Sequence, residues 1–306
     1  MTLLKIYTDE IAARKHLESL NWPDGPICPH CGTVNEATEL KGKSTRPGVY
    51  KCRPCQKPFS VTVGTVFERS KIKLNVWVHA VDLYTASKKG FSAHQLHRTL
   101  NVTYKTAWFM AHRIREAMRD DKPAPMGGNG KAVEVDETYI GRLADVPKQA
   151  GGGAHKNVVL TLVERGGSAR SFHVDSTSIA DIVPIVRKNI RRESNLMTDA
   201  AQHYRGVGKE FSSHDRVHHE REEYVRDGYI HTNTVEGYYS IFKRGMKGVY
   251  QHCGEKHLHR YLAEFDFRYS NRVALGVDDT LRAEKALQGI TGKRLMYRRP
   301  NKAEVN

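Results

Sequence analysis

Four cysteines arranged as two close pairs constrain the fold of this chain more than any other feature. Cys28 and Cys31 form the first pair, Cys52 and Cys55 form the second, and 20 residues separate the pairs. Each C-x2-C pair turns tightly enough to point two thiolates at one ion, so the spacing predicts a four-cysteine zinc ribbon. Because cysteine fills all four positions, we expect one structural zinc ion. His30, which lies between two of the ligands, is an alternative ligand.

The chain is long and strongly basic. Its 306 residues suffice for two or three domains, and its formal net charge is +15. Such an excess favours a polyanionic partner, typically nucleic acid, because binding releases condensed counterions. A basic enzyme without a nucleic-acid partner is the alternative interpretation of the charge.

No feature of the sequence indicates a membrane or export. No apolar run approaches the roughly 20 residues that a membrane-spanning helix needs, and the acidic N-terminus lacks a signal-peptide core. We therefore expect a cytoplasmic, nucleoid-associated protein with no membrane partner. In that compartment cysteines are metal ligands or free thiols before they are disulfides.

Shifts in periodicity and composition divide the chain into five segments. Strand-like runs followed by a strand and helices in the second half predict an α/β domain with a mixed sheet. The segments are 1–70 (N-terminal helix and zinc ribbon), 71–120 (helical segment), 121–130 (a linker containing proline and glycine), 131–275 (the α/β domain) and 276–306 (a basic, irregular tail).

The helical segment contains two helix starts close together. Ser92 and Gln95 have the spacing of a capping box, and Thr103 can cap a second helix that runs to about residue 119. Two helices joined by so short a turn predict a DNA-binding helix-turn-helix, although an ordinary helical hairpin is an equal alternative. The side chains suited to phosphates and base edges on the later helix are Lys105, Trp108, His112, Arg115 and Arg119.

Three acidic residues lie in or at the ends of predicted strands and helices of the α/β domain. Asp136 lies in a strand pattern, Asp199 ends another, and Glu236 lies near a helix N-terminus. Carboxylates in this arrangement can hold two Mg²⁺ or Mn²⁺ ions for phosphoryl transfer. Glu134 competes with Asp136, because period two puts both on one face of the strand. Ordinary helix or strand-end caps are the alternative.

The predicted helix that begins near residue 233 adds polar groups to this site. Residues at three- and four-residue steps share one face of a helix. That face carries Asn233, Glu236, Ser240, Lys243 and Lys247. We expect Lys243 to contact the DNA phosphate and Lys247 to bind DNA.

Several motifs together resemble the insertion-sequence transposases that pair an N-terminal zinc ribbon with an ISXO-like DDE catalytic domain. The resemblance extends over most of residues 15–275. The segments that carry it are 22–32 (WPDGPICPHCG), 135–141 (VDETYIG), 198–199 (TD), 231–237 (HTNTVEG), 242–245 (FKRG) and 262–269 (LAEFDFRY).

The resemblance implies an RNase H-like catalytic domain in which Asp136 and Asp199 bind the metal ions. The third position in this group is an acid, or an asparagine followed by a lysine, so Glu236 and Asn233 both fit; we favour Glu236, since a carboxylate binds Mg²⁺ better than an amide. Glu134 is then displaced from the metal site by Asp136. The resemblance also implies binding to double-stranded DNA at terminal inverted repeats and target sites, as a homo-oligomer.

These features predict a DNA transposase that cleaves the ends of its element and joins them to target DNA. Two alternatives belong to other functional classes. An RNase H-like nuclease or resolvase would cleave DNA without joining it. A zinc-ribbon regulator would bind DNA and need none of the acidic residues for its function.

Overall fold

The computed structural model describes most of the chain, and its described residues fold into two compact units. Among the described helices, none combines the length and the apolar character that crossing a bilayer requires. The described residues are 3–143, 146–147, 153–217, 225–226 and 228–296.

The first unit is assembled from three separate stretches of sequence. It takes the described residues of Met1–Ser87, Phe91–Arg119 and Asp279–Asn306, whereas the second unit takes those of Lys88–Gly90 and Asp120–Asp278. The second unit is therefore an insertion in the first. The first unit contains α1 (Leu3–Thr8), α2 (Glu10–Asn21), β1 (Ala37–Glu39), β2 (Tyr50–Cys52), β3 (Pro58–Phe59), α3 (Leu74–Ala86), α4 (Ala93–Leu100), α5 (Tyr104–Met118) and α10 (Asp279–Gln288).

Helix α10 corrects the prediction of an irregular tail at 276–306, of which 297–306 lie outside the described residues. The helix packs on α2, α3 and α5. Arg282 is buried and donates a 3.1 Å hydrogen bond to the carbonyl of Thr85 at the end of α3. Amphipathic helices gain most of their stability from such tertiary packing. The charged sequence of this segment did not indicate that it packs in this way.

The helical part of the first unit follows its sequence pattern. Leu74, Trp77, Val78, Val81 and Tyr84 share one face of α3, and all five side chains are buried. Ser92 and Gln95 make both bonds of the predicted capping box at the start of α4, and the Thr103 side chain caps α5.

The second unit is built on a five-stranded mixed sheet, which confirms the α/β fold class. Its strand order is β6-β5-β4-β7-β8. The pairs β6–β5 and β5–β4 are antiparallel, whereas β4–β7 and β7–β8 are parallel. The elements are β4 (Ala132–Ile140), β5 (Asn157–Glu164), β6 (Ala169–Val174), α6 (Ile179–Asn189), β7 (Asn195–Asp199), α7 (Tyr204–Gly208), β8 (Ser213–Val217), β9 (Val225–Arg226), β10 (Ile230–His231), α8 (Asn233–Gly245), a π-helical turn (Met246–Tyr250) and α9 (Leu258–Ser270).

Helices cover both faces of this sheet and divide its core in two. On one face Val133 and Val135 of β4 and Leu196 of β7 join a cluster with side chains of α6 and α7. On the other face Ile140 of β4 and Val159 of β5 pack among side chains of α8 and α9. Successive residues of β4 therefore alternate between the two cores, as period two requires.

Candidate active site and zinc centre

The four predicted cysteines converge in the first unit. Their sulfur atoms all lie within 4.8 Å of one another. The Cys28–Cys55 and Cys31–Cys52 sulfur separations are both 3.6 Å. A tetrahedral zinc ion with Zn–S bonds of about 2.3 Å holds its sulfurs about 3.8 Å apart, so the cluster has the dimensions of a zinc site.

Local chemistry around the thiols also suits a cation. Hydrogen bonds from Thr33 lower the pKa of Cys31 to about 6, and the thiolate is the form that binds metal. For Cys52, the backbone N–H of Cys55 lowers the pKa, but burial and the neighbouring thiols outweigh it and raise the pKa to about 12. Four thiols this close together do not all ionise easily, because the thiolate charges repel one another. A bound divalent ion would offset that repulsion.

His30 lies outside this cluster. Its Nε2 atom is 3.4 Å from the carbonyl oxygen of Pro58 rather than beside the sulfurs. Within the part of the chain that the structure describes, the four cysteines are the only group of three or more Cys, His, Asp or Glu side chains close enough to hold one ion.

Asp136 and Asp199 lie at matching positions on neighbouring parallel strands. The β4–β7 register pairs Val133 with Leu196 and Glu134 with Met197. Counted on for two residues beyond the end of this pairing, the register makes Asp136 the counterpart of Asp199, and the charge of Asp199 acts on the Asp136 carboxyl group. Both aspartates then lie on the sheet face that carries Glu134, opposite the face of Val133 and Leu196.

The carboxyl group of Asp136 is in an environment that opposes its ionisation. Burial raises its pKa to about 7, and the negative charges of Glu137, Asp199 and Glu236 add to the rise. Asp199 and Glu236 are therefore near enough to Asp136 for their charges to oppose its ionisation, although the three carboxylates do not approach one another as closely as the four cysteine sulfurs do. Oxygen ligands that repel one another in a half-buried site are the donor set that Mg²⁺ or Mn²⁺ would stabilise.

Helix α8 carries the third acid over the same sheet face. Val235, Tyr238 and Phe242 are its buried side, whereas Glu236 and Asn233 are both exposed. The hydroxyl of Tyr239 donates a 2.5 Å hydrogen bond to the backbone carbonyl of Asp136. Tyr239 therefore marks the side of α8 that approaches Asp136.

Helical geometry ranks the candidate side chains by their angle from Tyr239. At about 100° per residue, Lys243 lies about 40° from Tyr239 around the helix axis, Glu236 about 60° and Asn233 about 120°. The Lys243 ammonium is 5.8 Å from the centre of the Tyr239 ring. Glu236 and Lys243 are thus nearer the Asp136 side of the helix than Asn233, while Lys247 is exposed in the π-helical turn that follows.

Glu134, the competing carboxylate, serves another purpose. It is fully buried and accepts hydrogen bonds from the backbone of Thr234 and Val235 at the start of α8, and from Arg165. Both carboxylate oxygens of Glu134 therefore already accept hydrogen bonds from these donors. The sequence showed that Glu134 shares the face of Asp136, but no pattern in it identified Arg165 or the α8 amides as its partners.

Glu137 points to the opposite face of β4, as period two predicts. Its Oε1 atom accepts hydrogen bonds from Nε2 of His203, at 3.0 Å, and from the hydroxyl of Tyr204. The bond to Glu137 raises the pKa of His203, against the effect of burial. This second cluster anchors the turn that follows Asp199, and sequence reasoning missed it because Glu137 is 66 and 67 residues away from its two partners.

The predicted DNA-reading face of α5 needs correction at two positions. His112 and Arg115 are only 1% and 2% exposed, so neither can reach DNA from this surface. The Arg115 guanidinium lies 5.6 Å from the centre of the Tyr84 ring. Both side chains belong to the broad buried face on which α5 packs, and helical spacing alone could not separate that face from a basic surface.

The other predicted DNA-binding positions are more accessible. Lys105 is exposed at the start of α5, and Trp108 is half-buried against the His112 ring. Arg119 is exposed after the end of α5, 2.8 Å from the Glu116 carboxylate. The exposed basic positions thus concentrate at the two ends of the helix.

Each unit contains a segment that matches a known transposase domain. Residues 8–58 match the family model described as a transposase zinc-ribbon domain, and residues 127–270 match the ISXO2-like transposase domain. The chain is also 27% identical to a Halobacterium salinarum protein described as "Uncharacterized protein in transposable element ISH50". That alignment spans 284 residues, which are 88% of this chain and 93% of the relative.

A zinc ribbon joined to an RNase H-like sheet that bears clustered acids defines a DDE-type transposase. The two family matches together cover more than half of the chain. The matches support a transposase that pairs a zinc-ribbon domain with an ISXO2-like domain, and its mixed sheet is the RNase H-like fold that the resemblance implied.

Proposed function

We propose that this transposase binds the ends of its element and catalyses metal-dependent phosphodiester cleavage and strand transfer. The observation that carries the proposal is the parallel β4–β7 register, which makes Asp136 the counterpart of Asp199 on the face covered by α8. Cleavage by water would leave a 3′-hydroxyl at the element end. That hydroxyl would then attack a phosphodiester of the target DNA.

The residues that would hold the metal ions are Asp136, Asp199 and Glu236. Two Mg²⁺ or Mn²⁺ ions bound there would activate the attacking oxygen and stabilise the leaving oxygen. Lys243, beside Tyr239 on α8, would hold the scissile phosphate near these acids. The raised pKa of Asp136 supports this assignment, because carboxylates that repel one another gain most from bound cations.

DNA binding would use the exposed basic positions of both units. In helix-turn-helix proteins the N-terminal residues of the second helix approach the base edges. Lys105 occupies that end of α5, next to Tyr104, which is 45% exposed and stacks on His94 of α4. Lys247 would contact the DNA backbone near the acids. We further propose that the chain acts as a homo-oligomer on paired element ends and target DNA.

Strand transfer with pre-cleaved element ends tests the proposal. The wild-type protein with Mg²⁺ should join the ends to target DNA. Asp136→Asn and Asp199→Asn should each lose cleavage and joining by at least about a thousandfold, of the order seen for loss of essential transition-state stabilisation, and keep DNA binding. Cleavage without joining would identify a nuclease or resolvase. Full biological function in Asp136→Asn would identify a non-catalytic regulator.

A further inference from the structure

Helix α8 begins without a cap from its own N-cap side chain. Thr232 occupies the N-cap position, and its side chain makes no capping bond. The first amides of a helix have no intrahelical acceptor and need one from elsewhere. Oε2 of Glu134, on β4, accepts from the amides of Thr234 at 2.8 Å and of Val235 at 2.9 Å.

The second oxygen of Glu134 is equally engaged. Oε1 accepts from the hydroxyl of Thr234 at 2.7 Å and from Nε of Arg165 at 2.6 Å. The Glu134 side chain is fully buried. A buried carboxylate is costly unless donors surround it, and this one has a cation and a positively polarised helix N-terminus.

Arg165 extends the contact to the segment that leads into α8. Its guanidinium donates to the carbonyls of Tyr229 and His231, both at 2.7 Å. Nδ1 of His231 faces two donors, Nη2 of Arg165 at 3.0 Å and the amide of Asn233 at 3.3 Å, so it acts as an acceptor. The 3.2 Å approach of the same nitrogen to Glu134 is accordingly not an ion pair.

We propose that Glu134 is a positioning residue that fixes the first turn of α8, and with it Glu236, relative to Asp136. The proposal rests on the proposed function, in which both acids bind metal. Glu134 precedes Asp136 by two residues on one strand face, about 7 Å along the strand. Val235, whose amide Glu134 binds, immediately precedes Glu236. One rigid contact thus sets the spacing of two proposed ligands that are distant in sequence.

The required precision gives this contact a functional consequence. Metal–ligand distances must be met within about 0.2 Å, and a misplacement of about 1 Å in an active site can cost about a hundredfold in rate. The bond from Tyr239 to the Asp136 carbonyl constrains α8 one turn later. In the first turn, where Glu236 lies, Glu134 binds the backbone amides, and the Thr232 hydroxyl donates to the Glu236 carboxylate at 3.3 Å.

Glu134→Gln in the full-length, zinc-loaded protein is the primary test. Glutamine has nearly the same shape, but its NH₂ group must face a donor on one side or the other. We expect faster amide hydrogen exchange in the first turn of α8, and an increase of at least about tenfold in the Mg²⁺ concentration that half-saturates joining of pre-cleaved ends. The rise in melting temperature on adding Mn²⁺ should shrink, while zinc content and DNA binding stay unchanged.

Glu164→Gln is the matched control. This carboxylate, at the end of β5, also binds a backbone amide and a cation, Gly127 at 2.8 Å and Lys131 at 2.7 Å. Its substitution should lower stability without changing the Mg²⁺ dependence. If Glu134→Gln does not fold, Thr234→Val removes only the hydroxyl donor, and Thr234→Ser should restore the wild-type Mg²⁺ dependence.

Wild-type Mg²⁺ and Mn²⁺ responses in Glu134→Gln would overturn the proposal, whether or not exchange in α8 accelerates, because the contact would then be merely structural. An equal shift in Glu164→Gln would also overturn it. Should the wild-type protein neither cleave nor join DNA, the proposed function fails separately. The Mn²⁺-dependent melting shift, compared between wild type and Glu134→Gln, then decides the positioning role without any measurement of activity.

Discussion

The hydroxyl of Tyr239 on α8 is 2.5 Å from the backbone carbonyl oxygen of Asp136 on β4, to which it donates a hydrogen bond. Tyr239→Phe removes this bond and leaves the ring in place. Loss of one buried hydrogen bond should lower the free energy of unfolding by about 1–2 kcal/mol. Joining of pre-cleaved ends should fall by about tenfold, since the carbonyl adjoins a proposed metal ligand.

Tyr238→Phe provides the comparison for that substitution. The neighbouring hydroxyl donates a hydrogen bond to the half-buried Asp266 carboxylate at 2.7 Å and lies 2.9 Å from the Ser171 hydroxyl. Its loss should cost similar stability in urea denaturation and leave joining within about twofold of wild type. Equal loss of joining in both variants would show that only stability links Tyr239 to activity.

The raised pKa of Asp136, about 7, makes stability depend on pH. Between about pH 4 and pH 7 the folded protein retains a proton that the unfolded chain has released, so the free energy of unfolding falls as pH rises. The fall should reach a few kcal/mol, at about 1.4 kcal/mol per pKa unit. Above pH 7 the contribution of this group is constant.

Denaturation of zinc-loaded protein without added Mg²⁺, at pH 5 and at pH 8, measures this effect. Asp136→Asn should gain stability over wild type at pH 8 and much less at pH 5. Asp266, whose pKa burial raises to about 6, contributes equally to both proteins and cancels in the comparison. A constant difference between the two proteins across this pH range would contradict the prediction.

Glu236 and Asn233 are competing third ligands, and substitution separates them. We expect Glu236→Gln to lose joining by at least about a hundredfold in Mg²⁺, as expected for loss of a metal-binding carboxylate. Asn233→Ala should lose less than about tenfold, because Asn233 lies farther around α8 from Tyr239. Strand-transfer rates over a Mg²⁺ titration measure both. The reverse ranking would assign the third position to Asn233.

Metal content distinguishes the clustered cysteines from the remaining one. Cys28→Ser should lower zinc from one ion per chain towards none and destabilise the ribbon, since structural zinc contributes directly to folding. Cys253→Ser should retain the zinc, because Cys253 is in the second unit and outside the cluster. Elemental analysis of both purified proteins gives the answer. Undiminished zinc in Cys28→Ser would exclude the four-cysteine site.

Lys105 and Arg115 should respond differently although both were predicted to bind DNA. Lys105→Ala should weaken binding to element ends and reduce the slope of log affinity against log salt by about 0.9, as for one lost phosphate contact. Arg115→Met should leave that slope unchanged and lower the melting temperature instead, since Arg115 is buried beside Tyr84. An unchanged slope in Lys105→Ala would place the DNA elsewhere.

The sequence predicted the elements of the second unit well, because their signals are local. Asp136 lies in a strand as predicted, β4 at Ala132–Ile140, and α8 begins at Asn233, where the sequence predicted a helix start. Apolar alternation and helical spacing are properties of neighbouring residues, so they survive in a single sequence. The four-cysteine cluster was predictable for the same reason, through its spacing.

Relationships between distant residues were not predictable in this way. Arg165 meets Glu134 across 31 positions, and Thr234 meets it across 100. Neither contact produces a periodic pattern in the sequence. The burial of Arg115 was also not predictable, because a basic residue at helical spacing gives the same sequence pattern on a buried helix face as on a solvent-exposed one.

The insertion of the second unit within the first has a consequence for biosynthesis. A ribosome makes α3 and α5 early, but α10, which packs on both, leaves it only after the whole inserted unit has been made. Shortened polypeptides that end before Asp279 would carry every proposed metal ligand and still lack a helix of the unit that contains the four cysteines. Premature stop codons late in the gene should therefore abolish DNA binding before they remove any of the acidic residues.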